Sequence, residues 1–210
     1  MLEKLIFIVG PHGVGKTYTT NQIKMDMNVV HFDLGPMIRD LHRRNAPSLT
    51  LKEWIQQGEF KLGKNFSDIV LCQEIRSQLL QDNASVVITG SRSLEGVQYI
   101  MANFPAKKIF LFYLDADISL LKKNYENREG INISNDSFKN ILLAEQDMGL
   151  LSLREYVLTH PKDAFYIVNQ NNSTGIIGKI RDIINGRRFI VKHNKTAVLA
   201  YTKGVENEKR

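Results

Sequence analysis

One stretch near the start of the chain has the residue types and spacing of a phosphate-binding loop. It fits the pattern of glycine, four residues, glycine, lysine and serine or threonine. Backbone N–H groups in such a loop converge on phosphate oxygens, the lysine reaches the β- and γ-phosphates, and the hydroxyl holds Mg²⁺. The pattern predicts an ATP and Mg²⁺ site, with Lys16 as a catalytic cation and Thr17 as the metal ligand. The cofactor-binding residues are Gly10, Pro11, His12, Gly13, Val14, Gly15, Lys16, Thr17 and Tyr18.

The residues around this loop predict the two elements that must position it. Residues 4–9 form an apolar, β-branched run without polar alternation, which is typical of a strand buried on both faces of a parallel sheet. Helical spacing begins at Lys16, so the positive end of a helix would point at the bound anion. The alternative is a chance glycine-rich helix start. Strand, loop and helix in register favour the phosphate site.

Farther along, short apolar runs alternate with helical patterns. This alternation predicts an α/β fold in which a five-stranded parallel sheet is covered by helices on both faces, a three-layer α/β/α arrangement. The predicted strands are 4–9, 29–32, 86–88, 109–114 and 165–168, and helices are predicted from 16 and at 40–44, 51–57, 65–81, 94–104 and 174–184.

The third glycine of the loop, Gly13, gives the form Gly-x-x-Gly-x-Gly-Lys-Thr. This form resembles the nucleoside monophosphate kinase branch of P-loop proteins, which includes adenylate kinases and dephospho-coenzyme A kinases. The resemblance covers roughly residues 4–185 in element order, and its specific motif is the loop. It implies a P-loop NTPase fold and a kinase-like domain over residues 1–185. It also implies a helical acceptor-binding insert at about 36–64 and a lid at about 122–137.

In this family the chain after the second strand builds the acceptor site, and here that region contains Asp33 and Arg39. Ligands of open α/β sheets bind at the ends of such strands. Arg39 could clamp an acceptor phosphate through paired hydrogen bonds, and Asp33 could orient an acceptor hydroxyl or a metal-bound water. The alternative is that Asp33 caps the following helix and Arg39 is a solvated charge.

The end of the third predicted strand carries Thr89, Gly90 and Arg92. Related kinases often have Asp-Gly here with an arginine nearby, so the resemblance makes Arg92 a second clamp on the acceptor and a catalytic cation. Its alternative role is a loop salt bridge. The aspartate is absent, because Thr89 takes its place. The role of that aspartate could pass to Asp33 or to water.

A basic segment that includes Lys122, Lys123 and Arg128 resembles the lid of the same enzymes. Basic side chains of a lid close over the triphosphate and exclude water. We expect residues 124–136 to be a mobile loop from which Arg128 reaches the site, although a solvated charge run is the alternative. Glu145 and Asp147 are expected to pair with lid arginines or to cap a turn, without a catalytic role.

Composition limits the classes of function. The net charge is +6, but residues 186–210 carry seven basic and two acidic groups, which leaves +1 for the rest of the chain. The main body therefore gives little reason to invoke nucleic acid, and such a partner would have to bind the tail, which is predicted to be a β-hairpin. A single cysteine favours a cytoplasmic setting, and no apolar run approaches the roughly 20 residues of a membrane span.

These observations predict a phosphotransferase that uses ATP and Mg²⁺ and acts on a nucleotide or nucleotide-like acceptor. Lys16, Arg92, Arg128 and Asp33 are its candidate catalytic residues. Two alternatives remain open: a P-loop ATPase or nucleotide-binding regulatory protein, and a polynucleotide 5′-kinase that grips its substrate with the basic tail. The identity of the acceptor, the residue that replaces the missing aspartate, the role of the tail, and the choice between monomer and homodimer also remain open.

Overall fold

The computed structural model describes residues 1–79, 83–160, 164–169 and 173–186. In these ranges strands alternate with helices, and the helices outnumber the strands. The strands are β1 (Leu2–Val9), β2 (Val29–Asp33), β3 (Ser85–Thr89), β4 (Ala106–Ala116) and β5 (Ala164–Asn169). The helices are α1 (Lys16–Asp26), α2 (Leu34–Asn45), α3 (Leu51–Leu62), α4 (Phe66–Gln78), α5 (Leu94–Asn103), α6 (Ile118–Glu129), α7 (Asn135–Glu145), α8 (Leu151–Thr159) and α9 (Ser173–Ile184).

The strands form one parallel sheet in the order β2-β3-β1-β4-β5. Strand β1 lies in the middle of the sheet and pairs with β3 on one side and β4 on the other. Helices cover both of its faces. The register aligns Asp33 of β2 with Thr89 of β3, and Thr89 with Ile8 of β1. The carboxyl ends of these strands, and the predicted site residues next to them, therefore meet at one edge of the sheet.

The core has two halves, one on each face of the sheet. Successive side chains of β1 alternate between them, because neighbouring residues of a strand point to opposite faces. Leu5 and Phe7 pack in the half covered by α2, α4, α5 and α8, whereas Ile6 and Ile8 pack in the half covered by α1, α6, α7 and α9. All four are fully buried. The predicted three-layer α/β/α fold with a five-stranded parallel sheet is confirmed.

Helix α2 begins at Leu34, six residues before the predicted start at 40. This start includes Gly35 and Pro36, two residue types that disfavour helix interiors. In the first turn, however, N–H groups have no partner within the helix, so a proline is tolerated there. The Asp33 side chain also caps this end by accepting the N–H of Gly35 at 3.3 Å. The capping role considered for Asp33 is present in the structure.

The region expected to be a long loop is mostly helical. Helix α6 continues to Glu129, where Gly130 ends it with a φ of 67°, and α7 begins at Asn135 after a Ser134 cap. The ion pair between Lys122 and Glu126, at 2.8 Å and one helical turn apart, stabilises α6 through this segment. The prediction of a loop over residues 124–136 was therefore wrong for most of its length.

Beyond α9, the predicted basic extension at 186–210 lies outside the described residues except for Gly186. The β-hairpin predicted there is not described. Across the described ranges, none of the helices has both the length and the apolar character that a bilayer crossing requires.

Candidate active site

The predicted phosphate loop joins the end of β1 to the start of α1. Gly10, Gly13 and Gly15 have φ values of 139°, 80° and 98°, which side-chain-bearing residues rarely adopt. A Cβ atom on Gly10 would lie 2.2 Å from the carbonyl oxygen of Leu114, and one on Gly13 would lie 2.1 Å from that of Leu121. Glycine is required at both positions, because the loop backbone is in contact with β4 and α6.

Two asparagine side chains brace the outer side of this loop. The Nδ2 atom of Asn124, in α6, donates to the Gly13 carbonyl at 2.8 Å, and that of Asn169, at the end of β5, donates to the Val14 carbonyl at 3.4 Å. In a trans peptide the C=O and the following N–H point in opposite directions. These contacts therefore turn the N–H groups of Val14 and Gly15 away from the asparagines, and the Val14 N–H donates to the Pro11 carbonyl oxygen within the loop at 3.4 Å. Sequence reasoning missed both residues.

The Lys16 side chain folds back over the loop. Its Nζ atom donates to the carbonyl oxygens of Gly10 at 2.7 Å and Pro11 at 2.8 Å. Thr17 and Tyr18 follow it on the first turn of α1, where both side chains are exposed. The predicted cofactor-binding residues thus form one continuous loop and helix start at the sheet edge.

The four candidate catalytic residues lie close enough to interact electrostatically. Burial lowers the pKa of the Lys16 ammonium to about 8. The charges of Glu145 and Asp33 act to raise this pKa, and those of Arg92 and Arg128 act to lower it further. Burial is therefore the main cause of the low pKa of Lys16, and charges on four other segments modify it, three of which belong to residues that the sequence singled out.

This low pKa predicts that ATP binding depends on pH. The nucleotide-free protein carries the Lys16 ammonium at neutral pH and loses it above about pH 8. Phosphate groups favour the charged form, so ATP binding above that pH takes up a proton. We expect the Kd for ATP to be about tenfold weaker at about pH 9 than at about pH 7. Calorimetry in two buffers of different ionisation enthalpy measures both the Kd and the proton uptake. Equal affinity at both pH values, without proton uptake, would contradict the prediction.

Asp33 and Arg39 lie on either side of Gly35 at the start of α2. A Cβ atom on Gly35 would be 3.6 Å from both the Asp33 carboxylate and the Arg39 guanidinium. Arg39 is exposed, and within the described residues it has no hydrogen-bond or ion-pair partner. Its guanidinium is therefore free to bind an anionic group at the sheet edge.

Thr89 is the last residue of β3, at the position where the resemblance in the sequence implied an aspartate. Its side chain is buried, and a 2.9 Å hydrogen bond joins its Oγ1 to Nε2 of His31. Burial lowers the pKa of His31. Position 89 therefore carries a hydroxyl that is hydrogen-bonded to an imidazole. Asp33 is paired with Thr89 in the sheet and provides the carboxylate at this edge.

Arg92 and His12 meet at Glu145, the last residue of α7. The Glu145 carboxylate accepts the backbone N–H of His12 at 2.9 Å, lies 2.6 Å from Nδ1 of His12, and lies 3.5 Å from Nε of Arg92. Glu145 was expected to pair with lid arginines or cap a turn, and the expected pairing with Arg128 was wrong. The sequence does indicate that Glu145 is buried, because it falls at helical spacing on the same face of α7 as the apolar residues Phe138 and Leu142.

Arg128 lies in the last turn of α6 and not in a loop. Its Nε atom is 2.7 Å from Glu129, and its guanidinium lies 5.4 Å from the centre of the Tyr125 ring. The side chain is exposed. Tyr125 in turn contacts His12 edge to face at 5.9 Å, so α6 connects Arg128 to the phosphate loop. The expected approach from a loop was wrong because Arg128 belongs to a continuous helix.

A second buried polar cluster lies behind the loop. Arg154 is 3.3 Å from Asp115 and donates to the Tyr166 hydroxyl at 3.0 Å, and Tyr166 donates to Asp115. Burial raises the pKa of Tyr113 and Tyr166, which keeps both hydroxyls protonated. The adjoining cavity, of about 40 Å³, is too small for a nucleotide. This cluster fixes the ends of β4 and β5 against α8.

Comparison with known proteins identifies the fold. No protein-family model matches the chain, and no curated protein sequence matches it either. A gluconokinase from Sinorhizobium meliloti 1021 has a TM-score of 0.54 at 10% identity, covering 90% of this chain and 99% of its own. An uncharacterized protein from Eubacterium ventriosum ATCC 27560 has a TM-score of 0.53 at 15% identity, covering 88% and 99%. These likenesses show that the chain shares the α/β fold of both structures. These neighbours do not single out the adenylate kinase family.

Proposed function

We propose that this protein is a phosphotransferase that moves the γ-phosphoryl group of ATP onto a nucleotide or nucleotide-like acceptor. The observation that carries the proposal is the phosphate loop itself, whose glycines pack closely against β4 and α6 and whose Lys16 donates to two loop carbonyls, with the Arg92 guanidinium 3.2 Å from His12 of the same loop. In this reaction an acceptor oxygen bonds to the γ-phosphorus, the bond to the β–γ bridging oxygen breaks, and ADP leaves. Any proton on the acceptor oxygen passes to a base or to water. Such transfer needs positioning and charge neutralisation more than covalent chemistry.

The loop would bind the polyphosphate through its backbone N–H groups. Lys16 now donates to the carbonyls of Gly10 and Pro11, and it would exchange these weak acceptors for phosphate oxygens when ATP binds. The ammonium would then neutralise charge on the γ-phosphate and on the leaving oxygen as the transferred group moves. Arg92 and Arg128 would supply further positive charge from two other elements.

The donor groups at this edge fit Mg²⁺. This ion is usually bound by one or two protein oxygens together with substrate phosphates and water, and not by a dedicated protein cage. The Thr17 hydroxyl is exposed on the first turn of α1, and the Asp33 carboxylate lies at the same sheet edge. Bound Mg²⁺ would neutralise charge on the β- and γ-phosphates.

A second candidate function is ATP hydrolysis without an acceptor. The observation that favours it is Thr89, since a buried hydroxyl bound to His31 replaces the carboxylate of related kinases. A weaker metal or base site would slow transfer and suit a regulatory nucleotide-binding protein. The similarity to a gluconokinase also adds a sugar acid to the acceptors worth testing.

One coupled assay separates these functions. ADP release would be measured with ATP and Mg²⁺ against nucleoside monophosphates, deoxynucleotides, dephospho-coenzyme A, 5′-hydroxyl oligonucleotides and gluconate. The proposal predicts one acceptor class that raises the rate far above the rate with ATP alone. A rate that no acceptor increases would favour the ATPase. A response to oligonucleotides alone would favour the polynucleotide kinase.

Arg39 provides a specific test of the acceptor side. We expect Arg39→Ala to raise the KM for an anionic acceptor about 10- to 100-fold, because a charge-assisted hydrogen bond to a guanidinium is worth about 1.5–3 kcal/mol. The KM for ATP should not change. Arg43→Ala is the matched control, since Arg43 lies on the same helix and pairs with Asp40. An unchanged acceptor KM in Arg39→Ala would remove this residue from the acceptor site.

A further inference from the structure

Glu145 is a buried carboxylate in direct contact with the phosphate loop. Its side chain is 2% exposed. Burial acts to raise its pKa, but hydrogen bonds from the His12 side chain and backbone outweigh this effect and lower the pKa overall. Glu145 is therefore ionised at neutral pH. A buried, ionised carboxylate needs compensating partners, and here these partners are groups of the candidate active site.

The end of α7 and the bend that follows it bring Glu145 to the phosphate loop. Glu145 continues the buried stripe of α7, and the helix then gives way to a bend, Gln146–Leu150, in which Gly149 has a φ of 104°. A Cβ atom on Gly149 would lie 3.3 Å from Cα of Ser93 and 3.4 Å from the carbonyl oxygen of Arg92. The bend therefore packs against the loop that carries Arg92.

Three contacts hold the Arg92 side chain. Its Nε is 3.5 Å from Glu145, one terminal nitrogen is 3.2 Å from Nε2 of His12, and the other donates to Sδ of Met148 at 3.7 Å. A guanidinium can only donate, so Nε2 of His12 accepts. The proton of this imidazole is then on Nδ1, 2.6 Å from Glu145. Glu145 thus contacts both members of the Arg92–His12 pair.

We propose that Glu145 is a positioning residue that holds Arg92 and His12 beside Lys16, so that the Arg92 guanidinium is aimed at the phosphoryl group during transfer. The proposal rests on the phosphotransferase function proposed above. Without the carboxylate, the positive charges of Lys16 and Arg92 repel each other, and Arg92 is free to leave the loop. Because Glu145 also places a negative charge near the bound triphosphate, it weakens ATP binding while it favours transfer.

This double role predicts an unusual pair of effects in Glu145→Gln. The substitution keeps the side-chain volume and one oxygen that can accept the His12 backbone N–H, but it removes the charge and the second oxygen, which faces Nδ1 of His12. We expect kcat to fall about 10- to 100-fold, the loss typical of a misaligned catalytic group. We also expect the Kd for ATP, measured at about pH 6 so that Lys16 keeps its proton without Glu145, to become about 3- to 10-fold tighter, because one negative charge near the phosphates is lost. A residue with a merely structural role would not combine slower transfer with tighter binding.

The experiment measures ATP affinity by calorimetry with Mg²⁺ and kcat with the acceptor that responds in the panel. The variants are Glu145→Gln, Arg92→Ala and their combination. Asp147→Asn is the matched control, because it makes the same charge change on an exposed residue two positions along the chain. We expect the control to stay within about twofold of the parent in both measurements. In the Arg92→Ala background, Glu145→Gln should change kcat by less than about threefold, since it acts through Arg92.

Several results would overturn the proposal. The first is a Glu145→Gln enzyme whose kcat matches that of the Asp147→Asn control. The second is that Glu145→Gln lowers kcat by the same factor in the Arg92→Ala background as in the parent. If Glu145→Gln does not fold, Glu145→Asp keeps the charge but shortens its reach, and kcat equal to that of the parent would refute the positioning role. If no acceptor responds, the phosphotransferase proposal fails by itself. The ATP-binding measurement then tests the position of Glu145 by itself. An unchanged Kd for ATP in Glu145→Gln would show that this carboxylate does not lie near the bound triphosphate.

Discussion

Replacing Lys16 with alanine is expected to lower kcat by about three orders of magnitude, the largest effect of any single charge in this site. The Lys16 ammonium already lies in a low-dielectric position, as its depressed pKa of about 8 indicates. Charge placed there in advance acts more strongly on the developing transition state than charge in water. A coupled assay with the responding acceptor measures the loss.

The fold should survive this change. Lys16 contributes two hydrogen bonds to loop carbonyls, and its removal also relieves the cost of burying a cation. Lys24→Ala is the control, since it removes an exposed charge from the same helix and should leave kcat unchanged. Activity close to that of the parent in Lys16→Ala would contradict the site assignment. A large drop in melting temperature would show that the loss of activity comes from unfolding.

Replacing Gly13 with alanine is expected to abolish ATP binding and to destabilise the protein by about 3 kcal/mol. The added Cβ would lie 2.1 Å from the Leu121 carbonyl oxygen and would impose a φ of 80° on a residue with a side chain. Neither the α6 backbone nor the loop can move without breaking the contact between Asn124 and the Gly13 carbonyl. Urea denaturation and ATP calorimetry measure the two effects.

Gly178→Ala is the matched control for this prediction. Gly178 lies inside α9, and a Cβ atom there would have no heavy atom within 4 Å. Alanine should stabilise this helix by about 0.5–1 kcal/mol, since glycine is the more costly residue in a helix interior. Wild-type ATP affinity in Gly13→Ala would refute the close packing of the loop against α6.

The fold was predictable where the signal is local. The apolar run of β1 has no polar alternation, and the structure buries its last five residues, Leu5 to Val9, completely. The glycine pattern that follows required a strand before it and a helix after it, and both are present. Boundaries were less predictable. Helix α2 starts early because Asp33 caps it and Pro36 falls in the first turn, where no N–H is needed.

The candidate site was predictable in part. Lys16 could be named because the glycine and lysine spacing of the phosphate loop is a local pattern, and Arg92 because the resemblance to related kinases extends to the end of the third predicted strand. Arg128 was named, but its setting in α6 was not foreseen. Asn124 was missed because an asparagine on a polar helix face carries no local signal. Its function depends on the approach of α6 to Gly13, which is 111 residues away in the chain.

The amino-acid sequence by itself determined the central parallel sheet and the phosphate loop, because apolar periodicity and glycine spacing act over a few neighbouring residues. Only the tertiary structure decided the surroundings of that loop. Glu145 lies 133 residues from His12, and nothing near it in the chain specifies that contact. The packing of α7 and the bend at Gly149 determine it, because a buried carboxylate is stable only where the fold supplies donors and positive charge.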